Sequence, residues 1–393
     1  MIVMAVCHFD DTNLNGGLEK QVRLLSRTLK AAGEDVVILA STRKWSRAGW
    51  HEEGGVPVRL FWTYTTPQIS GRYLPASLLW AAQLLLWVTL NRARIDVLHI
   101  HQIRIHAFVA ALARRWFGIP NILKSGTGGE GADIRAIGTH KYFGAAGRRF
   151  VIAHGDVFIA TTQSIREDLL HWGVPAEHIE VVPNGFDMPA PQEGAPAAER
   201  LKRLLFLGRF EDDKNVIPLA EAAIGRDFEL DFYGGGWQEE ALKDVCARDA
   251  SGRVAVKGWI SDPERIIGEY GFLLLPSNAE GLSNSMLEAM SQGVVPVATR
   301  VSGCIDHIED GVNGFFLEGT DSESLTQGLE RVGDVSLEEW RKMSRATMDY
   351  ARSRFDMKVV GAAYRGIYDR LAGRDGARTS AGSGKEKGVE GGA

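Results

Sequence analysis

Cysteine is scarce in this sequence of 393 residues: there are three, Cys7, Cys246 and Cys304, and they lie far apart. No two of them form a CxxC pair, so the sequence predicts neither a disulfide framework nor a cysteine zinc site, and it favours a reducing, cytoplasmic compartment. Proline occupies only 13 positions and hydrophobic residues make up 45%, which excludes a disordered or fibrous chain. A basic leader is also missing, which argues against a signal peptide.

Charge of one sign is not in large excess, because the formal net charge is -5. Residues 1–187 carry 20 Lys and Arg against 16 Asp and Glu, and the remaining residues carry 25 against 34. Neither half is basic enough to predict a nucleic-acid partner. The difference fits two lobes with different partners, and it fits ordinary solvated surface charge equally well.

Glycine, in contrast, is abundant at 45 positions, which is typical of the many strand-to-helix turns of α/β proteins. Short apolar runs alternate with amphipathic stretches in both halves, and this pattern predicts parallel strands joined by crossover helices in two Rossmann-like lobes. The predicted strands are 2–9, 36–40, 56–62, 97–100, 121–124, 157–160, 179–182, 204–207, 230–233, 254–256, 272–275, 295–298 and 315–317.

Proline, alanine, glycine and glutamate interleave around residue 190, a composition that predicts a linker over 189–200. The linker would separate a first domain over 1–188 from a second over 201–354. A last helix over 355–371 is expected to pack back on the first domain. The tail 372–393 consists mainly of Gly, Ser and charged residues, and we expect it to be disordered and without a catalytic role.

One apolar stretch, residues 74–90, has 17 positions without a charge, which is only just long enough to span a bilayer. Pro75, Ser77 and Gln83 interrupt it, and Arg92 and Arg94 follow. The stretch therefore favours a helix buried against a sheet, with contact to a membrane surface as the second interpretation and a true membrane span as the third.

Two carboxylates follow the predicted strand 272–275, in the order strand, loop, helix and strand. Glu280 falls in the loop and Glu288 in the helix, one turn beyond Asn284. Open α/β sheets bind ligands at the carboxyl ends of their strands, so both acids can converge on one small molecule. Ionised carboxylates accept hydrogen bonds from sugar hydroxyls, and the backbone N–H groups of Leu282, Ser283 and Asn284 are expected to attract a phosphate.

A second motif follows the strand 204–207: Gly208-Arg209, then Asp212, Asp213 and Lys214. A guanidinium and an ammonium can offset the charge that grows as a nucleoside diphosphate departs. The alternative is an Arg that forms a surface ion pair with a neighbouring Asp. The adjacent acids have no fixed ligand spacing, so a metal site is not predicted.

These two motifs resemble the retaining GT-B glycosyltransferases of glycosyltransferase family four, whose pattern includes two glutamates with seven residues between them and a Gly-Arg followed by a Lys. The resemblance covers residues 1–371 and implies two lobes with parallel sheets that face a central cleft. It implies that Glu280, in the loop with Gly281, contacts the donor sugar, and that Glu288 holds the donor ribose. Arg209 and Lys214 would bind the diphosphate beside Gly208. The catalytic candidates are Arg209, Lys214 and Glu280.

Glycine turns add weaker support. Gly16 and Gly17 join the first strand to the first helix, where their amides could approach the donor, although a plain tight turn explains them equally well. They resemble the family's Gly-Gly turn. Residues 234–236 resemble its second Gly-rich turn, which we interpret as a close approach of backbone, and residues 184–187 resemble an Asn-Gly-x-Asp segment that we interpret as mainly structural.

The acceptor side departs from the family pattern, because many relatives have a His at the end of the strand 121–124 and this chain has Lys124. The loop that follows carries Glu130 and several glycines, which fit either a polar acceptor or a flexible lid. His101, at the end of the preceding strand, is a candidate acceptor contact or a hydrogen-bonded structural histidine.

The resemblance implies transfer of a hexosyl group from a nucleoside diphosphate sugar, with UDP favoured, to a hydroxyl of a glycan, a lipid-linked glycan or a small molecule. It implies retention at the anomeric carbon, and neither a cofactor nor a metal. Two alternatives are a GT-B nucleotide-sugar epimerase and a non-catalytic nucleotide-sugar-binding subunit of a polysaccharide assembly complex. A dehydrogenase is disfavoured because no GxGxxG follows the first strand.

Overall fold

A computed structural model describes residues 1–9, 17–64, 73–127, 133–139, 144–188, 197–279 and 282–374. Several predicted features lie outside these residues: Gly16, Glu130, Glu280, Gly281, most of the linker and most of the tail. The chain divides into two units, of which the first comprises residues 1–160, 168–182 and the chain from 360 onward, and the second comprises 161–167 and 183–359.

The first unit contains a sheet in the order β3-β4-β2-β1-β5-β6-β7-β8, in which every pair is parallel except β3 with β4. Its central strands are buried on both faces, which explains their continuous apolar sequences. The strands are β1 (Ile2–Val6), β2 (Val36–Thr42), β3 (Gly49–Glu53), β4 (Val56–Trp62), β5 (Val97–His101), β6 (Asn121–Lys124), β7 (Val157–Ala160) and β8 (Ile179–Val181).

The second unit contains a parallel sheet in the order β11-β10-β9-β12-β13-β14. Buried aromatic side chains of three strands, Phe206, Phe232 and Phe272, pack in its core. The strands are β9 (Arg203–Leu207), β10 (Glu229–Tyr233), β11 (Val254–Gly258), β12 (Phe272–Leu275), β13 (Val295–Thr299) and β14 (Phe315–Leu317).

Helices connect these strands, as the amphipathic stretches predict. In the described part of the chain they are α1 (Gly17–Ala31), α2 (Leu74–Asn91), α3 (Ile105–Phe117), α4 (Asp133–Thr139), α5 (Gly144–Ala153), α6 (Gln163–His171), α7 (Ala197–Arg200), α8 (Val216–Ala223), α9 (Glu239–Cys246), α10 (Glu264–Ile267), α11 (Asn284–Ser291), α12 (Ser302–Ile305), α13 (Ser322–Gly333), α14 (Leu337–Phe355) and α15 (Met357–Leu371).

Among the described strands, β3 is the one that the sequence did not predict. Its residues GWHEE are mostly exposed and form no apolar run, and β3 pairs antiparallel with β4 at the edge of the sheet. Two glycines with positive φ, Gly54 and Gly55, make the turn between the two strands. An edge strand of this kind lacks the alternating or continuous apolar pattern by which strands are recognised.

Each sheet has a topological switch point, where the chain has added strands on one side of its first strand and then continues on the other side. In the first unit, β1 is followed by β2 on one side and later by β5 on the other, so this switch point lies between β1 and β5. In the second unit the corresponding point lies between β9 and β12. Ligands bind open α/β sheets outside the carboxyl ends of the strands at such points, which directs attention to the loops after these four strands.

Candidate functional site

The loop after β9 starts with Gly208 and is supported by a second glycine turn. Gly208 N–H donates to the Tyr233 carbonyl at 3.0 Å. Gly234 has a φ of 145°, and a Cβ atom there would overlap the carbonyl oxygen of Gly208; a Cβ atom on Gly236 would overlap the carbonyl oxygen of Phe210. The turn at 234–236 is therefore a close approach of backbone to backbone, and its glycines set the position of the Gly208 loop.

Asn215 ties the loop after β9 to the loop after β12. It adopts the left-handed conformation with a φ of 49°, which asparagine tolerates better than most residues. Its Nδ2 donates to the Pro276 carbonyl at 2.7 Å and to Asn278 Oδ1 at 3.0 Å. The two loops flank the switch point, so Asn215 fixes their separation where a ligand is expected.

Asn278 and Thr299 complete this framework. The Asn278 N–H donates to the Asp213 carbonyl at 2.8 Å, and its Oδ1 also accepts from Thr320 Oγ1 at 3.1 Å. Thr299, at the end of β13, donates its hydroxyl to the Ser277 carbonyl at 2.5 Å. Hydrogen bonds from three neighbouring strand ends therefore hold residues 276–278 in place.

The two cations predicted to bind a diphosphate differ in their surroundings. Lys214 has a side chain that is 12% exposed, and its Nζ lies 3.5 Å from Ser277 Oγ and 3.7 Å from Asp213 Oδ2. Arg209 is 67% exposed and forms its ion pair with Glu211, at 2.6 Å. The surface ion pair considered from the sequence thus exists, but with Glu211 as the partner.

The acids beside Lys214 were considered as metal ligands in the sequence, and one of them has a hydrogen-bond partner in the structure. Asp212 accepts from Gln238 Nε2 at 2.7 Å. Within the described ranges, no group of three or more His, Cys, Asp and Glu side chains could hold a metal ion.

Helix α11 begins where the motif with the two carboxylates predicts, directly after Ser283. The Ser283 hydroxyl caps the helix by accepting from the Met286 N–H at 3.4 Å. Glu288, 5% exposed, and the half-buried Asn284 lie one turn apart on this helix. Asn284 Oδ1 accepts from Asn184 Nδ2 at 3.4 Å, which connects the Asn-Gly-x-Asp segment to the helix start. Leu282, immediately before the cap, is buried in the core of the unit.

In the first unit, Gly17 is the first residue of α1. His101 ends β5 at the switch point and is completely buried. Neither ring nitrogen of His101 has a hydrogen-bond partner among the described residues, and its ring stacks on His99 with centroids 4.0 Å apart. The alternative of a hydrogen-bonded structural histidine applies instead to His99, whose Nδ1 lies 2.7 Å from the Tyr368 hydroxyl in α15.

Lys124 ends β6 beside His101, and burial lowers the pKa of its ammonium to about 8. Its Nζ lies 5.6 Å from the ring centroid of Tyr364. Burial, with a contribution from the Lys124 charge, also lowers the pKa values of His99 and His101 well below the usual range. The histidine rings are therefore neutral at pH 7, and Lys124 is the cation of this cluster.

Asp133 joins the two ends of the loop that follows β6. It accepts from the Gly126 N–H at 2.7 Å and from the Thr127 hydroxyl at 3.2 Å. Asp133 is 2% exposed, and burial raises the pKa of its carboxyl, while these hydrogen bonds act in the opposite direction. The base of the loop that carries Glu130 is therefore fixed by hydrogen bonds.

The structure thus places the described candidates in two groups. Gly208, Arg209, Lys214, Leu282, Ser283, Asn284 and Glu288 lie on the second unit, at or near the carboxyl ends of β9 and β12. Gly17, His101 and Lys124 lie on the first unit. Sequence reasoning missed Asn215, Asn278 and Thr299; of these, Asn215 offered a signal, as an Asn directly before a helix.

Two family models match: "Glycosyl transferase 4-like domain" over residues 16–185 and "Glycosyl transferases group 1" over residues 201–334. The chain is 36% identical to the glycogen synthase of Pseudomonas syringae over 124 residues, which is 30% of this chain and a quarter of that protein. It is 25% identical to the N-acetyl-alpha-D-glucosaminyl L-malate synthase of Bacillus anthracis over 71% of this chain and 75% of that one.

Among solved structures, HepE of Anabaena in complex with UDP is similar, with a TM-score of 0.69 and 17% identity over 94% of this chain and 99% of that one. The same protein in complex with UDP-glucose gives a TM-score of 0.68. The predicted fold class, two Rossmann-like α/β units of the GT-B type, is confirmed.

Proposed function

We propose that this chain, which belongs to the group 1 glycosyltransferase family, transfers a hexosyl group from a nucleoside diphosphate sugar to a hydroxyl of a glycan, a glycolipid or a small molecule. The observation that carries the proposal is the pair of loops after β9 and β12. They meet at the switch point of the second sheet and bring Lys214, Ser277 and the start of α11 into one framework.

Lys214 and Arg209 would bind the diphosphate of the donor. As the glycosidic bond breaks, negative charge grows on the leaving phosphate, and cations held in advance stabilise that charge. The small exposure of Lys214 favours a fixed position. Arg209 would exchange its contact with Glu211 for the phosphate, because an exposed ion pair is weak.

The two glutamates would orient the donor. Glu288, buried on α11, would accept hydrogen bonds from the ribose hydroxyls, and Glu280 would contact the sugar. Binding of this kind positions the anomeric carbon of the donor. The two carboxylates would then not act as the general acid and the nucleophile of a glycosidase.

The acceptor would bind to the first unit, at the ends of β5 and β6, with contributions from Glu130. His101 supports this part of the proposal because its ring nitrogens are buried and lack partners among the described residues. A buried polar group without a partner is costly, which favours a role for the His101 ring beyond packing.

Retention belongs to the same proposal. The leaving phosphate would accept the proton of the incoming hydroxyl on the face from which the diphosphate departs, so no enzyme nucleophile and no metal would be needed. UDP is the favoured nucleotide, which is supported by the similarity to HepE in complex with UDP. The three free cysteines support a cytoplasmic location.

The test is the release of nucleoside diphosphate from a panel of UDP- and GDP-sugars, with and without EDTA, for the wild type, Glu280→Gln and a control. Glu338→Gln is the control, because the Glu338 side chain is 80% exposed on α14, outside the candidate site. We expect release that survives EDTA, falls in Glu280→Gln and is unchanged in Glu338→Gln. The anomeric configuration of the product, read by NMR, tests retention.

Other outcomes would contradict the proposal in different ways. Isomerised donor in place of transfer would identify an epimerase. Donor binding without release of diphosphate, even when mixed cell glycolipids are supplied, would identify a binding subunit, and Arg209 and Lys214 would then serve recognition alone.

A further inference from the structure

Helix α2 has an apolar outer face. Its residues Leu78, Ala82, Leu86 and Leu90 recur every four positions and are exposed, with Leu86 at 61% and Leu90 at 75%. The opposite face, which includes Trp80, is buried. A helix on the surface of a soluble protein ordinarily presents polar residues to water, so this outer face requires a separate explanation.

The apolar surface continues from α2 onto its neighbours. A groove of about 390 Å³ runs between α2, α3 and α5. Its lining is apolar throughout and includes Leu85 of α2, Phe108 and Leu112 of α3, and Phe150 of α5. Together with the outer face of α2, the groove forms one apolar patch on the first unit.

Arginines gather at one end of this patch. Arg92 and Arg94 follow α2, and Arg115 lies in the last turn of α3. The guanidinium of Arg92 lies 5.6 Å from the ring centroid of Phe117, so the ends of the two helices are neighbours. All three arginines are exposed, and the adjacent Trp116 is 57% exposed.

Acidic residues are almost missing from the same stretch. Between residues 74 and 119 the sequence contains a single one, Asp96. Its carboxylate accepts from the terminal ammonium of Met1 at 2.8 Å and from Arg374 at 2.7 Å. The positive charge beside the patch is therefore not balanced by acids of α2 or α3.

We propose that the outer face of α2, with the groove and the arginines beside it, docks on the surface of an anionic lipid bilayer. An uncharged apolar face with cations and a tryptophan at its border is typical of helices that lie in a membrane interface. The helix would lie on the bilayer rather than cross it. By length and composition residues 74–94 could span a membrane, but one face of α2, with Trp80, Leu84 and Val88, is buried in the unit.

Two other occupants fit the chemistry of the patch less well. A second copy of this chain would have to provide acids to meet the arginines, and the patch itself has none. Residues 375–393 are small, polar and charged, with Val389 as the one larger aliphatic among them, so these residues do not provide an apolar segment to cover the patch.

Sedimentation with vesicles tests the proposal on the full chain. Vesicles of phosphatidylcholine alone are compared with vesicles that also contain phosphatidylglycerol. We expect binding to the anionic vesicles, weakened at least about tenfold by Leu86→Glu with Leu90→Glu, because these side chains would enter the interface. Arg92→Glu with Arg94→Glu should weaken it by about fivefold or more for each arginine, with a smaller dependence on salt.

Matched controls come from the second unit: Val312→Glu, at an apolar side chain that is 46% exposed, and Arg265→Glu, at an arginine that is 82% exposed. Both should bind vesicles like the wild type. Circular dichroism verifies that the variants fold, and the arginine pair tests the patch independently of the leucine pair.

Three results would overturn the proposal. The wild type could stay in the supernatant with anionic vesicles, or the leucine pair could bind them like the wild type. Light scattering could also show a dimer that the leucine pair converts to a monomer without any loss of vesicle binding, which would identify a self-association surface. Because vesicle binding needs neither donor nor acceptor, these results do not depend on the glycosyl transfer proposed above.

Discussion

Asn215 Nδ2 lies 2.7 Å from the carbonyl oxygen of Pro276, and this hydrogen bond joins two loops that are distant in sequence. The first loop carries Lys214 and the second leads to Ser283 and α11. The spacing of the groups that would bind a diphosphate thus depends on a side chain that does not itself need to touch the donor. Asn215 is a positioning residue in this arrangement.

The first prediction tests that role. Asn215→Gly keeps the left-handed backbone available and removes both side-chain hydrogen bonds. We expect KM for the donor to rise by about tenfold, with a smaller change in kcat, because the loops lose their fixed separation. Steady-state diphosphate release measures both. An equal loss of kcat with KM unchanged would contradict a positioning role.

The second prediction concerns Lys214. Lys214→Met should lower kcat about 100- to 1000-fold, because a charge that stabilises the leaving group is removed. Lys214→Arg should restore part of the rate. Lys202→Met is the control, since Lys202 is an exposed lysine of the same unit that pairs with Asp227. If the control and Lys214→Met lose rate equally, the loss does not come from the diphosphate contact.

The third prediction uses adjacent glycines. Gly234→Ala should lower the free energy of unfolding by more than about 1 kcal/mol and weaken donor binding, since its φ is positive and its Cβ would displace the Gly208 carbonyl. Gly235→Ala should be tolerated, because its nearest neighbour is Glu239 Oε2 at 3.6 Å. Urea unfolding and calorimetric titration with UDP distinguish them. Equal behaviour of the two variants would refute the close approach.

The fourth prediction compares two tyrosines of α15. Tyr368→Phe should lower the free energy of unfolding by about 1–3 kcal/mol, because it leaves the buried His99 Nδ1 without its hydrogen bond. Tyr364→Phe should change it by less than about 0.5 kcal/mol, since the Tyr364 hydroxyl is buried and has no partner among the described residues. A reversed order in urea unfolding would argue against this hydrogen bond.

The fifth prediction follows from the lowered pKa of Lys124. Its pKa is about 8 in the folded chain against 10.5 for an ordinary lysine, so between these values the unfolded chain binds more protons and stability rises with pH. Below about pH 8 the buried charge costs on the order of 3 kcal/mol. The stability of the wild type relative to Lys124→Met should therefore increase across this window. A constant difference in urea unfolding would falsify the assignment.

The fold could be predicted from the sequence because parallel strands that are buried on both faces have continuous apolar sequences. Such runs are recognised without any knowledge of tertiary contacts. Every strand predicted in this way is present. Sequence reasoning missed β3, because this exposed edge strand has no apolar run. The strand is recognised only from its antiparallel pairing with β4. The uncharged stretch 74–90 likewise indicated the helix α2. The exposure of Leu86 and Leu90 could not be predicted, because it depends on which face of the helix packs against the rest of the unit.

The candidate site was predictable in part. Position along the chain places Arg209 and Lys214 in the loop after β9 and Glu288 on α11, while the roles of these residues, which the family resemblance implies, stay predictions. The hydrogen bonds of Asn215 and Thr299 could not be predicted, since each joins segments that become neighbours only when β12 and β13 lie beside β9. The partner of Arg209 in the surface ion pair was also wrong: it is Glu211, two positions further along the same loop, and not one of the aspartates.

The short pairing of β9 with β12 has a consequence for biosynthesis. Phe272 and Leu273 of β12 pair with Leu204 and Leu205 of β9, some seventy positions earlier in the chain. A nascent chain that has not yet reached β12 can build β9, β10 and β11 but leaves one border of β9 unpaired and apolar. An unpaired strand edge of this kind can pair with strands of other chains, so truncated or stalled products should aggregate. The donor-binding loops can assemble only late in translation.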